Sequence, residues 1–288
     1  MQVYKNTYLG LIGIAGIYIT ASIALPCVNI LKPLSPEQLM VARGGVTAVL
    51  VALLLRGNIA AVEKSTLLFS FFFSCACLGF YNGIRIWGPS LTLIILTTTP
   101  IVNFLVSYRT GRKIPKAAVV SLTMLLCGVA LALKPWTGAF NVKAFLWSAF
   151  GAVTAGIGYE YLSDSKAPKL QQCFWISVMI MIFGVFGSLH ASWTPVFESP
   201  KILGLLIGFA FVGGFLYFLA NFEAFKHLPV ETASVLAQGE TPAVIFTSGI
   251  FLGEHLSVLQ WCGVALAISG AYLLVHSISK KDSSHKAS

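Results

Sequence analysis

The sequence predicts an all-α polytopic membrane protein whose ten transmembrane helices form two inverted five-helix repeats. Hydrophobic residues make up 57% of the 288 residues and charged residues only 10%, where soluble domains carry roughly 25% charge. The apolar residues fall into long runs, and part of the pattern recurs later in the chain. Because too few polar residues remain to coat a core of this size, a soluble enzyme, a disordered chain and a disulfide-built scaffold are disfavoured.

The apolar runs are interpreted as helices because they are continuous over about 20 residues, whereas a membrane strand alternates over about 10. The predicted spans lie near 8–31, 36–55, 66–87, 89–108, 117–133, 142–162, 170–189, 201–225, 230–252 and 256–276. The predicted division is therefore a first repeat at 1–137, a second repeat at 138–276 and a cytoplasmic tail at 277–288. The first run is too long for a typical signal peptide and is expected to remain as a span.

Charge indicates orientation rather than a nucleic-acid partner. The net charge is +9, but the basic residues sit in short segments between apolar runs, where they usually mark cytoplasmic loops. With the N-terminus inside, 13 of the 19 Lys and Arg residues lie in cytoplasmic segments and five in external ones. We therefore expect a multi-pass protein of the plasma (inner) membrane with both termini cytoplasmic, in contact with lipid and not with nucleic acid.

Motifs for cofactor or enzyme chemistry are missing from the sequence. All six cysteines lie inside apolar runs, where Cys behaves as a small buried hydrophobe, so disulfides and metal clusters are not expected. No phosphate-binding Gly-x-x-x-x-Gly-Lys-Ser/Thr loop, His-Glu-x-x-His metal motif or Gly-x-Ser-x-Gly elbow occurs. The prediction is no cofactor, no metal and no enzymatic activity.

A weak internal repeat appears at an offset of 142 residues. The matches are Thr99-Pro100 with Thr241-Pro242, Val102 with Val244, Gly111 with Gly253, Gly128 with Gly270 and Leu131 with Leu273. Five predicted crossings separate the two copies, and an odd number places them in opposite orientations, as in inverted-repeat transporters. The loop 109–116 is strongly basic whereas its counterpart 251–258 has no Lys or Arg, which also favours opposite sides of the membrane.

The last two spans carry a recognisable pattern. A mid-span proline in Pro229-Val-Glu-Thr-Ala-Ser-Val-Leu-Ala-Gln-Gly-Glu-Thr-Pro242 is followed by Phe251-Leu-Gly-Glu254 and by a Gly-rich final span. This pattern and the ten-span layout resemble the drug/metabolite transporter superfamily in its EamA-like branch. The first repeat keeps Pro100 and Gly111, but Arg112 stands where the family often has Glu. The resemblance implies a secondary transporter of amino acids or other small metabolites, with a central cavity lined by spans 1, 3, 4, 6, 8 and 9.

Glu240 is the first candidate for a substrate- or proton-binding residue. It lies near the middle of the predicted ninth span, where an ionised side chain costs about 2.5–3.5 kcal/mol on insertion scales. It should therefore face a wet cavity or a partner, or be protonated. A desolvated carboxyl suits reversible proton binding, and its ionised form suits an ammonium group. The alternative is a protonated Glu that hydrogen-bonds between helices.

Two prolines predict helix kinks beside polar clusters. Pro100 and Pro242 have no N–H, so each frees a carbonyl of the preceding turn. The polar residues near them are candidate substrate ligands, since inverted-repeat transporters bind substrate near such interruptions. These ligand candidates are Thr97, Thr98, Thr99 and Gln238. The alternative for each Thr is a hydroxyl that bonds back to its own helix.

Other intramembrane polar residues are weaker candidates for the same cavity. They are Tyr18, Tyr81, Asn82, Tyr159, Glu160, Tyr217, Asn221 and Glu223. Tyr217 and Asn221 are four residues apart and share a helix face. Arg43, inside the second span, either pairs with a carboxylate, binds an anionic substrate or extends to the interface.

Small residues at intervals of four predict close helix packing. Gly263 and Ala267 form such a stripe in the last span, Gly128 and Ala132 in the fifth. Gly204 and Gly208 do so in the eighth span. These stripes support either a contact between spans 5 and 10 or a homodimer.

The favoured function is a carrier of a small polar metabolite, with amino acids first, and its mechanism is alternating access with possible proton coupling. A carrier of cationic amines or nucleoside-like metabolites is the second hypothesis. The third is a membrane protein that transports nothing, either an intramembrane enzyme or a helical scaffold.

Overall fold

A computed structural model describes residues 2–102, 105, 116–133, 140–228 and 230–285, and every regular element in these ranges is helical. Two features of the sequence lie outside the described residues. They are the basic loop at 109–115, with Gly111 and Arg112, and Pro229 from the pattern of the last two spans. The polytopic helical class is confirmed.

The first half of the chain contains α1 (Gln2–Ile30), α2 (Pro36–Leu54), α3 (Lys64–Trp87), α4 (Pro89–Leu96), α5 (described at 99–102) and α6 (Lys116–Leu133). Helix α2 begins with a complete capping box, in which the Ser35 hydroxyl accepts from the Gln38 N–H and the Gln38 side chain accepts from the Ser35 N–H. This satisfies donors that the first turn of a helix leaves free. Gly88, at φ 86°, makes the sharp turn between α3 and α4.

The second half contains α7 (Val142–Asp164), α8 (Lys169–Ser188), α9 (Thr194–Glu198), α10 (Pro200–Ala210), α11 (Tyr217–His227), α12 (Val230–Ala237), α13 (Glu240–Leu252) and α14 (Val258–His285). A π-helical segment, Phe211–Leu216, joins α10 to α11. The π segment lies inside the predicted span at 201–225, and α14 continues to His285, within the predicted tail at 277–288.

Six helical stretches among the described residues are long and apolar enough to cross a membrane. Three more apolar helices are shorter, at Pro89–Val102, Val120–Leu133 and Val258–Gly270, and α7 belongs to neither group. Large apolar side chains such as Leu53, Phe186 and Phe246 are exposed on the outside of the bundle. This distribution fits a lipid-facing surface, because lipid does not require polar groups there.

The helices pack in pairs. The closest pairings are α3 with α7, α6 with α14, α2 with α8 and α1 with α11, while α4 contacts α13. In the α6–α14 pair, a Cβ on Gly128 would lie 2.6 Å from the Gly263 carbonyl oxygen, so only glycine permits this backbone approach. The small-residue stripes of spans 5 and 10 thus pack within the chain. At Gly204 and Gly208, by contrast, a Cβ would have no described neighbour within 4 Å.

Glu63 joins two loops at one end of the bundle. Its carboxylate accepts hydrogen bonds from the Ser165 hydroxyl at 3.0 Å and from the backbone N–H groups of Lys166 and Ala167 at 3.1 and 3.2 Å. The Ser165 hydrogen bond, with the two backbone donors, lowers the pKa of Glu63 below its ordinary value. The two loops that Glu63 joins, with Arg56, Lys64, Lys166 and Lys169 in or beside them, are among the segments that the sequence predicts to be cytoplasmic.

Candidate functional site

A cavity lies between the two halves of the chain and is bounded by α1, α2, α3, α4, α7, α10, the π segment, α11 and α13. Its volume is about 50 Å³, and a single water needs roughly 10–15 Å³ by the same kind of measure. Most of its wall is apolar. The polar residues in the wall are Arg43, Tyr81, Thr92, Tyr159, Tyr217 and Glu240.

Glu240 reaches this wall because its helix is interrupted. Helix α12 ends at Ala237, Gln238 and Gly239 form a turn, and Glu240 is the first residue of α13. The Glu240 side chain is 5% exposed, and its Oε2 has no hydrogen-bond partner among the described residues. A buried carboxyl oxygen without a donor costs free energy, so the arrangement favours a cation, a proton or a ligand donor at this position.

The Gln238–Gly239 turn is held by α1. The Tyr18 hydroxyl donates to the Leu236 carbonyl, and the Thr241 N–H donates to the Gln238 carbonyl at 3.0 Å. The carbonyl that Pro242 deprives of its usual helical donor therefore finds a partner one residue closer. A Cβ on Gly239 would collide with the Tyr18 ring, so glycine is what allows Tyr18 to reach the turn.

The first half has a similar interruption at Thr97 and Thr98, between α4 and α5. The Thr97 hydroxyl donates to the Ile94 carbonyl at 2.6 Å and the Thr98 hydroxyl to the Ile95 carbonyl at 2.7 Å. Both therefore bond back to their own helix. Thr99 is buried, and its hydroxyl has no partner among the described residues.

Arg43 occupies the other polar part of the wall and does not extend to an interface. Its side chain is 5% exposed, and its Nη1 donates to the Tyr81 hydroxyl at 2.7 Å. The guanidinium carbon lies 4.7 Å from the ring centre of Phe218 and 5.5 Å from that of Tyr217. Aromatic faces attract a cation at such distances.

The π segment and α10 pack on α2 at this point. A Cβ on Gly214 would lie 3.2 Å from the Arg43 carbonyl oxygen and would strike the Thr47 hydroxyl. Thr47 in turn donates to the Ala210 carbonyl at 3.3 Å, where the π segment begins. Short π segments inside α-helices occur often at functional sites, and here one sets the position of Arg43.

Of the residues that the sequence proposed for the cavity, Tyr81, Tyr159, Tyr217 and Glu240 lie in its wall. Nine others do not line it: Tyr18, Asn82, Thr97, Thr98, Thr99, Glu160, Asn221, Glu223 and Gln238. The Asn82 and Asn221 amides donate to the carbonyls four residues before them, Leu78 and Tyr217, both at 2.9 Å. The Gln238 amide donates to the Ser234 carbonyl at 3.0 Å, while its Oε1 is buried without a described partner.

Sequence reasoning gave too little weight to two residues of the wall. Arg43 lies within α2 and carries a full charge, which is the signal of an intramembrane site. Tyr159 was placed near the end of a span, but it lines the cavity and stacks on Phe225 with 4.4 Å between ring centres. Hydropathy gives no direction for a single side chain on a helix that is apolar on all sides.

Glu254, which belongs to the pattern of the last two spans, lies at the opposite end of the bundle from Glu63. Its Oε2 accepts from the Ser90 hydroxyl at 2.6 Å and from the Ser90 N–H at 3.3 Å. It thus supplies a carboxylate to the first turn of α4, which attracts negative charge. This contact joins the α13–α14 connection to the first half of the chain.

Comparisons with known proteins agree with this architecture. Residues 140–276 match the EamA-like transporter family. A curated relative from Sinorhizobium sp., named an uncharacterized transporter in the cobO 3' region, is 27% identical over 134 residues, which are 46% of this chain and 92% of the relative. A solved structure described only as the crystal structure of a protein has a TM-score of 0.69 at 12% identity and covers 93% of this chain and 96% of its own. That likeness shows a shared fold and nothing finer.

Proposed function

We propose that this chain, a membrane transporter of the drug/metabolite transporter superfamily, carries a small polar metabolite by alternating access. The observation that carries the proposal is the carboxyl of Glu240 in the wall of the cavity between the two halves, whose Oε2 is buried without a hydrogen-bond partner among the described residues. Buried ionisable groups inside membrane proteins mark substrate and ion pathways. Glu240 binds either a proton or the ammonium group of the substrate.

The proposed architecture is two inverted repeats, at 1–137 and 138–276. If spans 1–5 correspond in order to spans 6–10, a two-fold axis places span 1 on span 6 and span 8 on span 3. A contact between spans 1 and 8 is then repeated between spans 6 and 3. The pairings of α1 with α11 and of α7 with α3 follow that pattern. The pairs α2–α8, α4–α13 and α6–α14 each join a span to its own counterpart, which also supports the axis.

Alternating access in this proposal is a rocking of the two halves about the cavity. Each half has a broken helix beside it, at Thr97–Thr98 and at Gln238–Gly239, and broken helices surround the substrate site in other inverted-repeat carriers. The hydrogen bonds of Glu254 to Ser90 join the halves at one end. In this scheme they break when that end opens.

Amino acids are the proposed substrate class. Arg43 and Glu240 line the same cavity, so the wall offers one positive and one negative group. Glu240 by itself favours a cationic amine, which is the second candidate, but the Arg43 charge opposes a ligand that is only positive. The proposed orientation has both termini in the cytoplasm of a cell with this carrier in its plasma (inner) membrane, as the loop charges favour.

The test is a thermal-shift screen of the purified full-length chain with the 20 amino acids, polyamines and nucleosides, followed by counterflow of each hit in proteoliposomes. We expect Glu240→Gln to lower counterflow by about 100-fold, the scale of losing one or two charge-assisted hydrogen bonds. Glu198→Gln is the matched control, because Glu198 is exposed. Full activity of Glu240→Gln would remove its assigned role, and no transport of any solute by the wild type would refute the function.

A further inference from the structure

Arg43 is a buried cation that has no acidic partner among the described residues. It lies within the membrane-crossing helix α2, and its side chain is 5% exposed. No carboxylate of the described residues lies within the 4.0 Å of an ion pair with it, although Glu240 lines the same cavity. A charge in such surroundings is normally paired with an opposite charge.

The partners that Arg43 does have are neutral. Its Nη1 contacts the Tyr81 hydroxyl at 2.7 Å and the Cys77 sulfur at 3.4 Å. Three ring faces surround the guanidinium, from Tyr81, Tyr217 and Phe218. These groups lower the cost of burial without cancelling the charge, and the Nε–H remains buried without an acceptor among the described residues.

The surroundings also fix the guanidinium in place. Gly214 lets the π segment approach α2 at Arg43, and Thr47 secures the start of that segment through the Ala210 carbonyl. A guanidinium held in one orientation, with an unused N–H, suits the planar and often bidentate recognition of an oxyanion.

We propose that Arg43 binds the carboxylate of the transported substrate, while Glu240 faces its ammonium group. This proposal rests on the proposed function and specifies which residue of the cavity contacts each end of the substrate. Phosphate is the other common oxyanion that arginine binds. A carboxylate is favoured because the described wall of the cavity has one Arg, no Lys and one Glu, and that Glu repels a phosphate dianion.

The experiment removes the carboxylate and the ammonium from the ligand separately. The probes are L-alanine, L-leucine and L-phenylalanine, the amide of each, the deaminated acid of each, and inorganic phosphate. Thermal shift and counterflow inhibition are measured on the full-length protein. For the wild type we expect the best amino acid to bind at least about tenfold more tightly than its amide, and phosphate to have no effect.

Arg43→Gln is expected to bind the amino acid and its amide equally, since the preference for the carboxylate disappears with the charge. Arg43→Lys keeps the charge and loses the planar fork, so it should still prefer the amino acid but bind it about tenfold more weakly. Arg56→Gln is the charge-matched control, because Arg56 is exposed in the loop after α2. It should keep the wild-type ratio.

The outcomes separate the two proposals. Transport of amides as well as amino acids by the wild type, or an undiminished preference in Arg43→Gln, overturns the role of Arg43 and leaves the transporter function standing. Binding of phosphate in preference to every carboxylate also overturns it. If Arg43→Gln does not fold, Arg43→Lys decides, and unchanged affinity in that variant counts against the proposal. A wild type that transports no probe, polyamine or nucleoside refutes the function itself.

Discussion

The helix breaks at Thr97–Thr98 and at Gln238–Gly239 have the same kind of backbone interruption, but the side chains beside them make different contacts. Offset by 142 residues, Thr98 in the first break corresponds to Glu240, which directly follows the second, and each break lies just before a proline. The Thr98 hydroxyl bonds to its own helix, whereas the Glu240 carboxyl faces the cavity. From α4, the helix before the first break, Thr92, Leu93 and Leu96 line the cavity.

This difference shows that a repeated backbone feature does not imply a repeated function. Both prolines interrupt a helix, because each removes an N–H and crowds the preceding turn. Which side chains then meet the cavity depends on how each interruption is supported. In the second break Tyr18 from α1 holds the turn at Leu236, and in the first the Thr97 and Thr98 hydroxyls satisfy local carbonyls.

The largest expected effect comes from replacing Glu240 with threonine, the residue at the corresponding position 98 of the first half. Glu240→Thr should lower counterflow by about 100-fold because threonine supplies no charge. Thr98→Val should lower it by less than about threefold, since only a bond within the same helix is lost. Proteoliposome counterflow at matched reconstitution levels measures both, and similar losses from the two variants would contradict the asymmetry.

A smaller effect is expected at Gly239, where the first break already carries the side chain of Thr97. Gly239→Ala forces its Cβ against the Tyr18 ring, which should lower the free energy of unfolding by about 1–3 kcal/mol. Denaturation of the detergent-solubilised protein measures this. In a Tyr18→Leu background the same change should cost less, and Gly204→Ala, at an open position, should cost nothing. An equal cost in both backgrounds would show that Tyr18 does not determine the turn.

The smallest expected effect lies outside both breaks and provides a reference for pH experiments. The pKa of Glu63 is lowered in the folded protein, chiefly by the Ser165 hydroxyl. Its contribution to stability is therefore present above the ordinary Glu pKa, about 4.3, and is lost as the pH falls through the lowered pKa. In Glu63→Gln, whose side chain stays neutral, the melting temperature should fall less steeply than in the wild type as the pH drops below about 4.3. The same pH dependence of the melting temperature in both proteins would contradict this.

Much of the helical layout was predictable. Each predicted span overlaps a described helix, because continuous apolar runs of this length have few alternatives in a membrane. The interruption inside 201–225 was not predicted. Gly213 and Gly214 were its visible signal, but a π segment forms here through contacts that α1 and α2 make with those glycines, and local sequence does not contain such contacts.

The candidate site was predictable only in part. Glu240, Tyr81 and Tyr217 stood out as polar residues in apolar runs and do line the cavity. Thr97, Thr98 and Asn82 were equally visible, yet each satisfies its own helix. Local hydrogen bonding and ligand binding use the same residue types, so composition does not separate them.

The sequence by itself determined that the chain crosses a membrane through apolar helices and where prolines interrupt two of them, because hydrophobicity and a missing N–H act locally. Only the tertiary structure decided that Arg43 of α2 and Glu240 of α13 line one cavity. The physical reason is that helices apolar on every side carry no amphipathic signal. The inward face is chosen by neighbouring helices, through glycine contacts such as that of Gly214 with α2.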